Sequence, residues 1–507
     1  MKRIAIRQGS ANDGGRKITH QDIMGVEEIQ EKRGLCCKHY RMGAGKACAV
    51  YFNEPVHYYD EDSKELKEID NTIRRIEQAE GEKGGYENAS GEVKIRFARS
   101  IGDAAFLTLE KGMHKMSWRL CDSSAACLKI PAEQKSEASA EVITRKTASH
   151  AAELRGRFRE INAAAEEAFR KSRSEVRYNG IKQGADLQYI LGNSRLKENI
   201  VIKQKMPDYR FVFEIAAECL ELELSENKDE LEFYVLKIGE NNQREKEVIF
   251  AMPAAYMYDA KGNRSENVVY EVEQSGAGKY ILNVTADKQW IESAEREFPV
   301  TIDPTVVFQK NNFITTRTIF SNNGVSSPAD AIDVTAGWLT GGIEARVLLK
   351  WNTGALGNVK VTGAFLNLYK EDASYTYDDY AFKKDFEIRG LTERWNAQTV
   401  TWATSPSCGG LVDILRYSTE LAGPGSGDEI VSFDVTKAWE NPNGVMIKAA
   451  QGEVPHSPNG NECSHYIQFY SEHVESDYEA CKPYLLVTYM ENNQVRSDQQ
   501  LTNSVGR

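Results

Sequence analysis

The stretch with the richest side-chain chemistry is EDASYTYDDYAFKKD, residues 371–385. In it Tyr375, Tyr377 and Tyr380 are interleaved with Asp372, Asp378 and Asp379. Flat phenol rings beside fixed polar groups suit the apolar face and the hydroxyls of a sugar. The three aspartates also offer oxygen ligands to a structural calcium ion, which takes about six to eight of them. A plain tyrosine-rich hairpin fits the same residues. Nearby in sequence, Arg346, Arg389 and Arg394 carry guanidinium forks that match carboxylates such as those of an acidic polysaccharide. They can equally pair with Asp372 or Glu387 across strands. Trp395 stands ahead of a Thr/Val run and is the indole expected to reach the surface. Trp351, Trp402 and Trp439 follow apolar alternation and are expected in the core.

Other chemistry is sparse. HExxH, GxSxG, SxxK with its partners and an EF-hand loop are absent, so no catalytic residue is assigned and the chain reads as non-enzymatic. MGAGKA (42–47) is the nearest approach to a phosphate loop, but it lacks the upstream glycine and the hydroxyl residue after the lysine. Cys463, His465, His473 and Cys481 read as an ordinary strand and turn rather than a zinc site, because Ile467 and Phe469 share a face with His465. No CxxC pair occurs among the nine cysteines. One bridge among Cys408, Cys463 and Cys481, and buried free thiols, both remain open. No cofactor beyond the calcium ion is expected.

Composition narrows the partners. A net charge of −12, from 75 acidic against 63 basic residues, argues against a nucleic-acid partner, whose phosphates need a basic face. No apolar run reaches the length of a membrane span. The N-terminal MKRIAIRQGSANDGGRK has no apolar segment of signal-peptide length, so no leader is visible.

These residues must be positioned by strands. The sequence predicts a mainly β protein built of antiparallel β-sandwiches, with one long amphipathic helix around 148–172. Residues 1–45 read as a polar arm. Residues 46–130 read as an N-terminal β region, with a hairpin in VHYYDEDSKELKEID (56–70). Residues 131–176 are a helical insertion, where Leu154, Phe158, Ile161, Ala165 and Phe169 recur at helical spacing. Residues 177–304 form a second β region, either separate or joined with the first, in which Leu220, Leu222 and Leu224 alternate with Glu221 and Glu223. Residues 305–490 form a C-terminal jelly-roll-like sandwich, and 491–507 a disordered tail. In the C-terminal sandwich RVLLKW (346–351), WNAQTVTW (395–402), VSFDVTKAW (431–439) and PYLLVTY (483–489) are expected as its inner strands.

The ordered set RVLLKWNTGAL, GAFLNLYK, ERWNAQTVTW, DVTKAW, NGVMIKA and KPYLLVTY resembles the DNRLRE domain, also called carbohydrate-binding module family 96, over about 305–490. FPVTIDPTV (298–306) and the β segments before it resemble the region preceding this domain in bacterial wall-associated and RHS-repeat proteins. The resemblance implies a non-catalytic carbohydrate-binding or adhesion module, secreted or at the cell surface, with a polysaccharide or cell-wall glycan as partner. An alternative is the structural N-terminal part of an RHS-repeat surface or toxin-delivery protein, with a downstream repeat partner. A polysaccharide lyase is the third reading.

Overall fold

The computed structural model describes residues 27–43, 45–76, 84–101, 105–121, 140–143, 168, 171–238, 243–308, 313–322, 331–339, 341–352, 356, 359–371, 383–418, 429–450, 465–474 and 481–491. It is mainly β, with antiparallel pairing throughout the described ladders. The chain divides into two units. One comprises residues 1–54, 147–169 and 312–507, the other 55–146 and 170–311.

The first unit contains a thirteen-stranded branched sheet around one apolar core. Strand Ile343–Trp351 shows why these segments are strands. Ala345, Val347, Leu349 and Trp351 point to the core, while Glu344, Arg346 and Lys350 take the other face. Tyr484–Met490 lies between Lys360–Lys370 and Lys46–Tyr51 and is buried on both faces along most of its length. Cys37–Gly43 is the outer neighbour of Lys46–Tyr51 and is itself flanked by Glu27–Glu28. Thus residues read as a polar arm, and the first strand read into the N-terminal β region, belong to the sheet of the C-terminal sandwich. The ACAVYF segment carries this: Ala47, Ala49 and Tyr51 enter the core, and Tyr51 stacks on Phe313 at 4.7 Å.

WNAQTVTW departs from expectation. It is a turn, not a strand. The Asn396 side chain accepts from the Gln398 amide at 2.8 Å and its carbonyl accepts from the Val400 amide at 2.9 Å. Those local bonds compete with a ladder and win. VSFDVTKAW is a strand only to Asp434 and then turns through a 3-10 segment, Thr436–Ala438.

The second unit is a sandwich of an eight-stranded and an eleven-stranded sheet sharing one core. His114–Cys121 pairs with Arg210–Glu218, so strands of the two expected β regions share the eight-stranded sheet. The hairpin predicted in 56–70 is His57–Asp60 with Glu65–Glu68. Between the sheets Phe106 meets Tyr178 edge-on at 5.5 Å. The long helix at 148–172 lies outside the described residues, except at Ala168 and Lys171, which are helical, and Ser172, which is in a turn. The tail beyond Glu491 also lies outside them.

The shared sheet makes a direct expectation. Deleting residues 1–54 removes an interior strand and should leave residues 312–491 without cooperative thermal unfolding by far-UV circular dichroism. A shortened chain whose C-terminal unit melts as sharply as the intact protein would refute it.

Candidate functional site

On the outer face of the Ile343–Trp351 sheet the 395–402 turn seats itself as a plug. Trp395 and Val400 pack with Ile319, Leu348, Leu391 and Met446 in a small separate core. Trp395, expected at the surface, is buried, and its Nε1 donates to the Asn443 carbonyl at 2.9 Å. Lys350 lies over its ring at 4.5 Å and donates to its carbonyl at 3.0 Å. Burial pulls the Lys350 amine below its ordinary pKa. Arg346 crosses the Trp402 ring at 4.1 Å and holds Glu344 with two bonds, 2.8 and 2.9 Å. Arg389 donates to Glu387 at 2.8 Å and to the Gly409 carbonyl at 3.2 Å. Residues two apart share a strand face, so both forks are engaged by carboxylates of their own strands. Arg394 is exposed. Trp351 and Trp439 are core residues as expected, and Trp402 is half-buried. Tyr375, Tyr377, Tyr380 and the calcium candidates Asp372, Asp378 and Asp379 lie outside the described residues.

MGAGKA spans the end of strand Cys37–Gly43 and the start of strand Lys46–Tyr51, which pair as a hairpin, with no helix after it to receive a phosphate. Among the described residues no group of three or more His, Cys, Asp or Glu could hold a metal ion. Cys463 lies outside them, while Cys408 keeps its thiol 3.2 Å from the Met446 sulfur.

The densest polar array was not anticipated. It runs across one face of the eleven-stranded sheet in the second unit. Arg177 donates to Glu175 at 2.5 Å, Gln188 donates to the same carboxylate at 2.7 Å, and Asn199 donates to Gln188 at 2.9 Å. On the strand of Asn199, Lys197 meets Asp303 of the neighbouring strand at 2.7 Å and donates to the Tyr256 hydroxyl at 3.3 Å. Glu175, Gln188, Lys197, Asn199 and Asp303 are all buried. Lys197 and Asp303 lie far apart in sequence. Only the pairing of Arg195–Ile202 with Val300–Asp303 brings their charges together.

Glu198 faces the opposite way, across from Tyr189 and beside core residues Leu196 and Ile200. Its Oε1 has no hydrogen-bond partner. Burial above all, partly offset by the Tyr189 hydroxyl and reinforced by the Asp303 carboxylate, pushes its carboxyl up to about 8. In the first unit Cys37 Sγ lies 3.4 Å from His39 Nε2, and His39 Nδ1 lies 2.8 Å from the Tyr489 hydroxyl. Nucleophile, base and orienting group are thus in series, but burial pushes the Cys37 thiol up to about 11. It holds its proton at neutral pH.

No family model matches the chain. It is 23% identical over 485 residues to the tRNA nuclease WapA of Bacillus subtilis (strain 168). The identity is again 23% over 492 residues with the tRNA3(Ser)-specific nuclease WapA of Bacillus spizizenii. Each alignment covers 92% of this chain and 18% of the relative, so the chain spans under a fifth of the length of the curated relatives it matches. These relatives are named as nucleases acting on tRNA. That corrects three expectations: the membership of a carbohydrate-binding family, the non-enzymatic reading, and the polysaccharide partner with nucleic acid excluded. The charge argument failed because a net charge averages over a chain and does not report on one site or on a longer protein. Among the described residues no helix is long and apolar enough to cross a membrane.

Two outcomes follow from this geometry. Trp395→Ala should cost about 3–5 kcal/mol in denaturant unfolding, as for a buried aromatic, while Arg394→Ala should stay within about 0.5 kcal/mol. Equal losses would contradict the plug. Glu198 gives a pH signature. Its folded pKa of about 8 lies above the ordinary value of 4.5, so its ionisation favours the unfolded chain. Stability from this group is intact below about 4.5, falls as pH rises, and levels off above about 8, a loss on the order of a few kcal/mol. Glu198→Gln should remove that slope between about pH 5 and about pH 8.5; an unchanged slope would contradict the assignment.

Proposed function

We propose that this chain is a structural region of a longer RHS-type surface or toxin-delivery protein, secreted or held at the cell surface, and that the protein to which it belongs acts on tRNA. The observation that carries this is the alignment itself: similarity runs through 92% of this chain, yet accounts for only 18% of proteins named as tRNA nucleases. The likeness therefore concerns one region of much larger polypeptides. The architecture supports the structural part of the reading. Both units are strand-built, with long-range pairing such as Lys46–Tyr51 to Tyr484–Met490, which suits a rigid platform. Arg346 and Trp395, two of the residues that suggested a ligand groove, fasten the 395–402 turn against a sheet.

The deciding measurement is where the protein resides and what it accompanies. Antibody against this chain should label intact cells or appear in the culture medium, and RHS-type repeats should be encoded with it. Labelling only after lysis, in a gene without such repeats, would overturn the reading. Cleavage of purified tRNA by the full-length protein is expected; tRNA left intact would overturn the substrate.

A further inference from the structure

Lys197 and Asp303 form the ion pair with both side chains most deeply buried among the described residues, at 6% and 1% exposure. Their strands are hydrogen-bonded neighbours, with Ile200 opposite Ile302. The contact differs from that of the other deeply placed pair. Lys482 donates an aligned hydrogen bond to Glu54, whereas Asp303 Oδ2 has no hydrogen-bond partner although Lys197 Nζ is 2.7 Å away. The amine is thus in contact with that oxygen without an aligned hydrogen bond to it. The other carboxyl oxygen, Oδ1, accepts from the Thr305 hydroxyl at 2.5 Å. The amine in turn donates to the Tyr256 hydroxyl at 3.3 Å.

We propose that Lys197 and Asp303 become covalently joined, through an amide between Nζ and Cγ that the folded chain forms by itself. The step balances without a co-reactant. One proton passes from the ammonium to Oδ2, giving a neutral amine and a carboxylic acid. The nitrogen lone pair attacks Cγ and the N–C bond forms. Oδ2 departs as water, taking a second proton from the nitrogen. Oδ1 stays as the amide oxygen, with the Thr305 hydroxyl already placed to stabilise the negative charge it gathers in the tetrahedral state. Burial favours this direction twice: two charges in low dielectric are costly and the neutral pair is not, and water is excluded from the reverse reaction. Fixing both groups in contact supplies the proximity that a bimolecular condensation lacks. The bond would tie Arg195–Ile202 to Val300–Asp303 and close the intervening chain into a loop, raising resistance to unfolding as other cross-links do. It does not depend on the role proposed above.

Intact-mass measurement of the purified full chain tests it. The wild-type mass should be lower than the sequence mass by one water, and a protease digest should yield one branched peptide joining the Lys197 and Asp303 segments. Lys197→Arg and Asp303→Ala should each restore the full mass. A wild-type chain of full mass, with the two segments recovered separately, would leave only an ion pair and overturn the proposal. So would a missing water with the segments unlinked. The wild-type measurement decides even if a variant fails to fold.

Discussion

Backbone pairing between the two ends of the described chain is the constraint on which the first unit depends. A strand edge exposes amides and carbonyls that must find partners. Tyr484–Met490 finds them on both sides, with Lys360–Lys370 on one and Lys46–Tyr51 on the other. Because its two faces are also buried up to Tyr489, almost none of that strand is left for solvent to satisfy. Tyr489 then becomes a meeting point, with its ring in the core and its hydroxyl on His39. The Lys32 amine lies 4.8 Å from the centre of the same ring.

The second unit obeys a different economy. Its core is built from large apolar side chains contributed by both sheets, yet it admits Glu198 to the core face and a line of charged and amide groups to the other face of the same strand. Such groups are tolerated only when partnered or neutral. The Arg177–Glu175–Gln188–Asn199 series meets the first condition, and the raised carboxyl of Glu198 meets the second. Lys197 and Asp303 stand between these cases, matched in charge but without an aligned hydrogen bond.

The same principle accounts for where the arginines and tryptophans sit. Guanidinium forks and indoles serve sugar recognition well, but they also serve to fasten a turn to a sheet. Glu344 and Glu387, each two residues before its arginine, sit on the same strand face and occupy the forks. The relatives, named for action on tRNA, overturn the membership of a carbohydrate-binding family.

Strand content, antiparallel pairing, the 56–70 hairpin and the core role of Trp351 and Trp439 were legible in the sequence, because alternation of apolar and polar residues is a local property with a period of two. WNAQTVTW shows the limit of that signal: its residue types favour a strand, and the Asn396 turn bonds outweigh them. Cys37–Gly43 was passed over because Lys38 and His39 look like surface residues, although both are buried in the folded chain. The assignment of 37–51 to the C-terminal sheet, and the approach of Lys197 to Asp303, depended on pairing between segments far apart in sequence. No local pattern encodes which distant strand will supply the partner; that is decided when the sheets close around their cores.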